Sequence, residues 1–74
     1  MKQRRITVDP SKMGGTPIVR DTRVTVTAVL GQLAAGQSLK QILHNYPYLQ
    51  REDIYAVLEF AAESVQRELP FAAA

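Results

Sequence analysis

The chain has 74 residues, room for one domain whose core is marginal on its own. It contains no cysteine, which excludes disulfide staples and thiolate metal sites, and its 46% apolar content argues against disorder over most of its length. The net charge of +2 is unevenly spread: residues 1–23 hold six cations against two carboxylates, and residues 24–74 hold three against five. Oligomerisation is the expected further source of stability, and a basic front with an acidic back suggests two surfaces with different partners. No apolar run approaches the ~20 residues of a spanning helix. The basic N-terminus has no hydrophobic segment behind it, so the expectation is a cytoplasmic protein without a membrane anchor.

Ile6-Thr7-Val8 reads as a short strand ended by the turn dipeptide Asp9-Pro10. Gly14-Gly15 marks a point where the backbone can take angles other residues avoid. Val24 and Val26 alternate with Arg23, Thr25 and Thr27, and residues 17–26 read as a hairpin or hairpin-like turn.

From Thr27 the apolar period lengthens to that of a helix, with Val26, Val29, Leu30, Leu33 and Ala34 on one face and a stop at Gly36. Ser38-Leu39-Lys40-Gln41 has the form of a capping box, in which Ser accepts an early amide and Gln reaches back. A second helix then presents Leu39, Ile42, Leu43 and Tyr46 and ends before Pro47.

A third helix starts near Arg51, where Glu52 and Asp53 suit the positive end of the helix dipole, and runs to about Leu69. It is expected to bury Ile54, Val57, Leu58, Ala61, Ala62 and Val65. It is also longer than its neighbours can cover, so its C-terminal part, with Val65, Leu69 and Phe71, calls for a partner or a second copy, unless the chain end frays.

Catalytic grammar is sparse. His44, the one histidine, has no second ligand at metal spacing, Gly14-Gly15 lacks the Lys-Ser/Thr of a phosphate loop, and Glu52 and Asp53 do not face one point. No enzyme, metal or cofactor is expected. Three helices in this rhythm match trihelical DNA-binding domains, with Tyr46–Gln50 as a long turn before the helix that enters the groove. The candidate DNA contacts are the basic front, Lys2, Arg4, Arg5, Arg20 and Arg23, with Gln50 and Arg51 at the third helix. The bland alternative is a charged edge strand that resists aggregation.

The run Asp9-Pro10, Gly15-x-Pro17-x-Val19, Thr22-Arg23-x-x-Val26 resembles the signature of the bacterial and archaeal family known as domain of unknown function 433. The second half agrees: Leu33-Ala34-x-Gly36-x-Ser38-x-x-x-Ile42-Leu43, Tyr46-Pro47-x-Leu49 and Glu52-Asp53-Ile54-x-Ala56. The resemblance covers about residues 6–62. It implies a mainly α fold with short N-terminal β strands: a homeodomain-like or winged helix-turn-helix bundle over 27–69, behind a basic β arm at 1–26 and before a tail at 70–74. It also implies a likeness to VapB-type antitoxins, often paired with PIN-like ribonuclease toxins. Two positions depart from the family pattern. Asp21 replaces a glycine before Thr-Arg and is expected to take the left-handed backbone, and Gln50 replaces a Thr or Ser cap.

The leading expectation is a homodimeric antitoxin-like module that binds a PIN-like toxin through Glu63, Val65, Leu69 and Phe71, and its own operator DNA through the basic front. The alternatives are a stand-alone helix-turn-helix DNA regulator and a structural dimerisation module.

Overall fold

The computed structural model describes residues 5–11 and 13–68. Strand β1 (Ile6–Thr7) pairs antiparallel with β2 (Ile18–Val19), Ile6 opposite Val19 and Thr7 opposite Ile18. Between them the Asp9 carboxylate accepts from both the backbone N–H and the hydroxyl of Ser11, closing the turn that Asp-Pro announces. A 3-10 turn at Met13–Gly15 follows, with Gly14 at φ 67° and Gly15 at φ 84°.

The turn expected over residues 17–26 is present, but it also pairs outward with β1. Val26 N–H donates to Pro17, Val19 N–H donates to Val24, and Ile18 bridges Thr25. Thr22 ties the tip, its hydroxyl donating to the Val19 carbonyl and accepting from Val24 N–H. Val24 and Val26 are buried while Arg23 and Thr27 are exposed, as the alternation requires. The left-handed residue is Arg20, at φ 47°, and not Asp21, which corrects the expectation from the family pattern.

Helix α1 (Val26–Ala34) starts on Thr25, whose hydroxyl accepts from Ala28 N–H. It ends in a Schellman motif: Gly36 takes φ 90°, its N–H donates to Leu33, and Gln37 N–H donates to Gln32. Helix α2 (Leu39–Asn45) starts on Ser38, whose hydroxyl accepts from Gln41 N–H. Asn45 crosses to Gln32 at 3.0 Å and links α2 to α1. Helix α3 (Arg51–Glu68) runs for 18 residues, about 27 Å at 1.5 Å per residue. The fold is thus mainly helical, three helices with a short two-stranded antiparallel sheet. No helix among the described residues is long and apolar enough to cross a membrane.

The core joins every element: Ile6 of β1, Val19 of β2, Val24, then Val26 and Val29 of α1, Ile42 of α2, Leu49, and Ile54, Ala56 and Val57 of α3. Leu30, Leu33, Leu39, Leu43, Tyr46 and Phe60 pack around it. The inward face of α3 is rotated from the expected one by about one residue position, roughly 100°. Ile54 and Val57 are buried as expected and Ala56 joins them, with Phe60 and Ala61 half-buried, whereas Leu58, Ala62 and Val65 face outward.

Candidate functional site

Helix α3 opens on a buried charge. Asp53 has no exposed side-chain surface and is the one buried polar or charged residue among those described. Burial pushes a carboxyl toward its neutral form, and donors must reverse that push. Three groups supply them. Arg20 binds both oxygens, Nε to Oδ1 at 3.0 Å and Nη2 to Oδ2 at 2.7 Å. Arg5 Nη1 donates to Oδ1 at 2.8 Å, and Gln50 N–H donates to Oδ2 at 2.8 Å. Burial raises the Asp53 pKa, but hydrogen bonds from Arg20, the Gln50 backbone and Arg5 bring it down to about 2. The hydrogen bond to Asp53 also raises the Arg20 pKa above its ordinary value, against a smaller opposing effect of burial.

Local structure puts each group in place. Asp53 is the third residue of α3, so its side chain reaches back to the amide just before the helix, the return half of a capping box. Arg5 and Arg20 are brought together by the β1–β2 pairing, which also joins them directly: Arg20 N–H donates to the Arg5 carbonyl at 2.8 Å. Arg20 Nη2 further donates to the Tyr48 carbonyl at 3.0 Å, and Arg5 Nη1 donates to Gln50 Oε1 at 3.1 Å. One carboxylate therefore fastens β1, the β2 turn and the segment before α3 to a single point.

This arrangement changes what several sequence candidates can do. Arg5 and Arg20 are about a third exposed, but both are engaged with Asp53, so their positive charge is partly neutralised in place. Gln50 supplies its amide to Asp53 and its side-chain oxygen to Arg5. Arg23 and Arg51 are exposed. Lys2, Arg4, Leu69 and Phe71 lie outside the described residues. Asp53 is the residue of this junction least legible in the sequence, where beside Glu52 it suits the helix dipole. Its spacing of three from Gln50 was the available signal, and the identity of its charge partners was not legible.

A second feature lies on the opposite side of α3. Tyr55, Leu58 and Val65 are 53%, 43% and 56% exposed, and Ala62 is exposed between them. Glu63, proposed with Val65 as partner-binding, is half-buried beside this face. Among the described residues no three His, Cys, Asp or Glu side chains are grouped as a metal site would require.

Comparison with known proteins agrees with the architecture. The profile of the family described as "Protein of unknown function (DUF433)" matches residues 6–61. A protein of Sinorhizobium fredii (strain NBRC 101917 / NGR234), "Uncharacterized protein y4eO", is 45% identical over 49 residues, 66% of this chain and 22% of that protein. The chain thus spans about a fifth of the length of that relative. The crystal structure of a DUF433 member from Anabaena variabilis ATCC 29413 is similar with a TM-score of 0.77 at 31% identity, over 92% of this chain and 70% of that one.

Proposed function

Because the chain belongs to the DUF433 family, a family described as of unknown function, we propose its role from its surfaces: a non-catalytic, antitoxin-like module that binds a PIN-like ribonuclease toxin. The observation that carries this reading is the apolar face that α3 leaves in water. An isolated surface Leu or Tyr is ordinary; a row of them along one helix face marks an interaction site. An amphipathic helix laid in a groove is a common recognition mode, and acidic side chains beside the row suit a nucleic-acid enzyme whose own groove is basic. In the same reading the described part of α3 supplies Glu63 and Val65, the chain continues through Leu69 and Phe71, and the protein acts in the cytoplasm as a homodimer. The test is co-expression with the product of the adjoining reading frame. A stable complex that is lost in Val65→Glu supports the reading; recovery of the two proteins apart sinks it.

A second reading, duplex contact, is supported by the exposed guanidiniums of Arg23 and Arg51. Here α2, the Tyr46–Gln50 turn and α3 act as the helix-turn-helix of a homeodomain-like or winged bundle. Glu52 at the same end opposes phosphate, so affinity should be modest and steeply salt-dependent. Arg23→Ala and Arg51→Ala should each weaken binding to a 20-base-pair duplex and reduce the salt slope by about 1. Unchanged anisotropy titrations would remove this reading.

A further inference from the structure

Strand β1 pairs with β2 on one side, and β2 is occupied on its other side, where Ile18 bridges Thr25. Among the described residues, the open edge of the sheet is therefore that of β1. The register decides which peptide groups this edge presents, because bonded and non-bonded pairs alternate along an antiparallel ladder. Arg20 N–H donates to the Arg5 carbonyl at 2.8 Å, so Arg5–Arg20 and Thr7–Ile18 are bonded pairs and Ile6–Val19 is not. The N–H and C=O of Ile6 thus point away from β2, and in the same alternation so do those of Val8. The Ile6 side chain is buried in its own core, whereas Val8, on the same strand face, is 58% exposed.

An edge of this kind accepts another strand, and its residue order fits a second copy of itself. Two copies about a two-fold axis bond only where outward-facing residues meet, so the axis can pass Ile6, Thr7 or Val8. With the axis at Thr7, the N–H and C=O of Ile6 meet those of Val8 in the second copy, and the symmetry-related pair repeats the exchange. Arg5 then stands opposite Asp9 of the second copy, with the opposite sign. Arg5 is also held by Asp53, and Asp9 by Ser11, so this match favours the register without carrying it. An axis at Val8 would set Ile6 against Pro10, which has no N–H to give. An axis at Ile6 would draw Arg5 away from Asp9 and toward Arg5 of the second copy. Pro10 also stops the ladder beyond the Ile6–Val8 pairs, so the contact is short and closed, a dimer and not a fibre. Such a contact buries less than the roughly 800 Å² per partner of a tight complex, so the dimer is weak and exchanging.

We propose that β1 is the self-association edge of this chain, paired antiparallel about Thr7, with Val8 of each copy beside Ile6 of the other. This rests on the homodimer of the reading above and gives it a surface separate from the exposed face of α3. The chain has no cysteine, so single cysteines report the register. The two Thr7 α-carbons, a non-bonded pair across the axis, would stand about 4.5 Å apart, within disulfide reach. Those of Val8 are offset by two residues, about 8 Å, outside it. Thr7→Cys should therefore oxidise to a covalent dimer about tenfold faster than Val8→Cys at the same high-micromolar concentration. In the cysteine-free chain, sedimentation should show self-association that is lost in Val8→Lys, which alters an exposed side chain, and kept in Leu58→Lys on the face of α3. A monomer up to about 1 mM, equal cysteine rates, or association lost in Leu58→Lys and kept in Val8→Lys would each overturn the edge. If Val8→Lys lowers the helical circular dichroism, the cysteine rates decide. A co-expressed complex from a free chain that stays monomeric would keep the toxin reading and sink this one; a β1 dimer with no complex would do the reverse.

Discussion

Asp53 holds a full charge where no side-chain surface reaches water, and four hydrogen bonds from three residues make that tolerable. The consequence is a specific acid sensitivity. The folded carboxyl titrates near 2 and the unfolded one near 3.8, so the unfolded chain takes up its proton first as pH falls. Stability from this group is complete above about pH 4 and is lost toward pH 2, on the order of 2 kcal/mol in all. Urea unfolding at pH 5 and pH 2.5 should show that loss in wild type and a smaller one in Asp53→Asn; equal losses would exclude the assignment. Arg20 sits in left-handed backbone at φ 47°, a position glycine favours, and its guanidinium is what justifies the residue there. Lysine keeps the charge but cannot span both Asp53 oxygens and the Tyr48 carbonyl. Arg20→Lys should therefore cost about 1 kcal/mol, a value reduced because the side chain is part-solvated. An unchanged denaturation midpoint would show that the charge alone matters.

Each helix carries its own start and stop signals, and these are local enough to be legible in the chain. Ser38 and Gly36 do what their residue types suggest, and Thr25 adds a cap that was not anticipated because the period change was placed at Thr27. Gly36 has open space around the position of a β-carbon, so the cost of Gly36→Ala is backbone strain at φ 90° and not a clash. A loss of about 1–2 kcal/mol is expected; thermal unfolding within a degree of wild type would mean that the motif relaxes. Helix α3 was legible in extent but not in orientation. Apolar residues occupy more than half of its circumference, so periodicity permits two inward faces, and it selects the one richer in Leu and Val. The structure buries the other, with Ala56 inside, Phe60 half-buried, and Leu58 and Val65 in water. The reason is Asp53: once that carboxylate is drawn to two guanidiniums, the rotation of α3 is set.

Because β1, the β2 turn and the start of α3 meet at one carboxylate, they should loosen together. In Asp53→Asn the two guanidiniums face a neutral group. Hydrogen exchange should accelerate at the amides of Arg20 and Gln50 together, while Tyr46, bonded to Ile42 within α2, keeps its protection. Acceleration at Gln50 alone would show that Asp53 serves the helix cap and nothing further. The same junction redraws the charge map of the molecule. The basic front counts Arg5 and Arg20 among its cations, yet both are shared with a buried anion, while Arg23, Arg51 and Arg67 are exposed. On the other side of α3, exposed Glu52 and half-buried Glu63 lie beside an exposed apolar row.

The number of helices, their approximate bounds and the turns at Asp9-Pro10 and residues 17–26 were determined by the sequence alone, since each depends on residues within a few positions of one another. The family signature was legible for the same reason: it is a set of short, closely spaced motifs. The pairing of β1 with β2 and the meeting of Arg5 and Arg20 at Asp53 were decided by the tertiary structure. Those contacts span up to 48 residues, and no local period encodes which distant cation a carboxylate will find. The inward face of α3, and with it the face left exposed, follows from that one long-range choice.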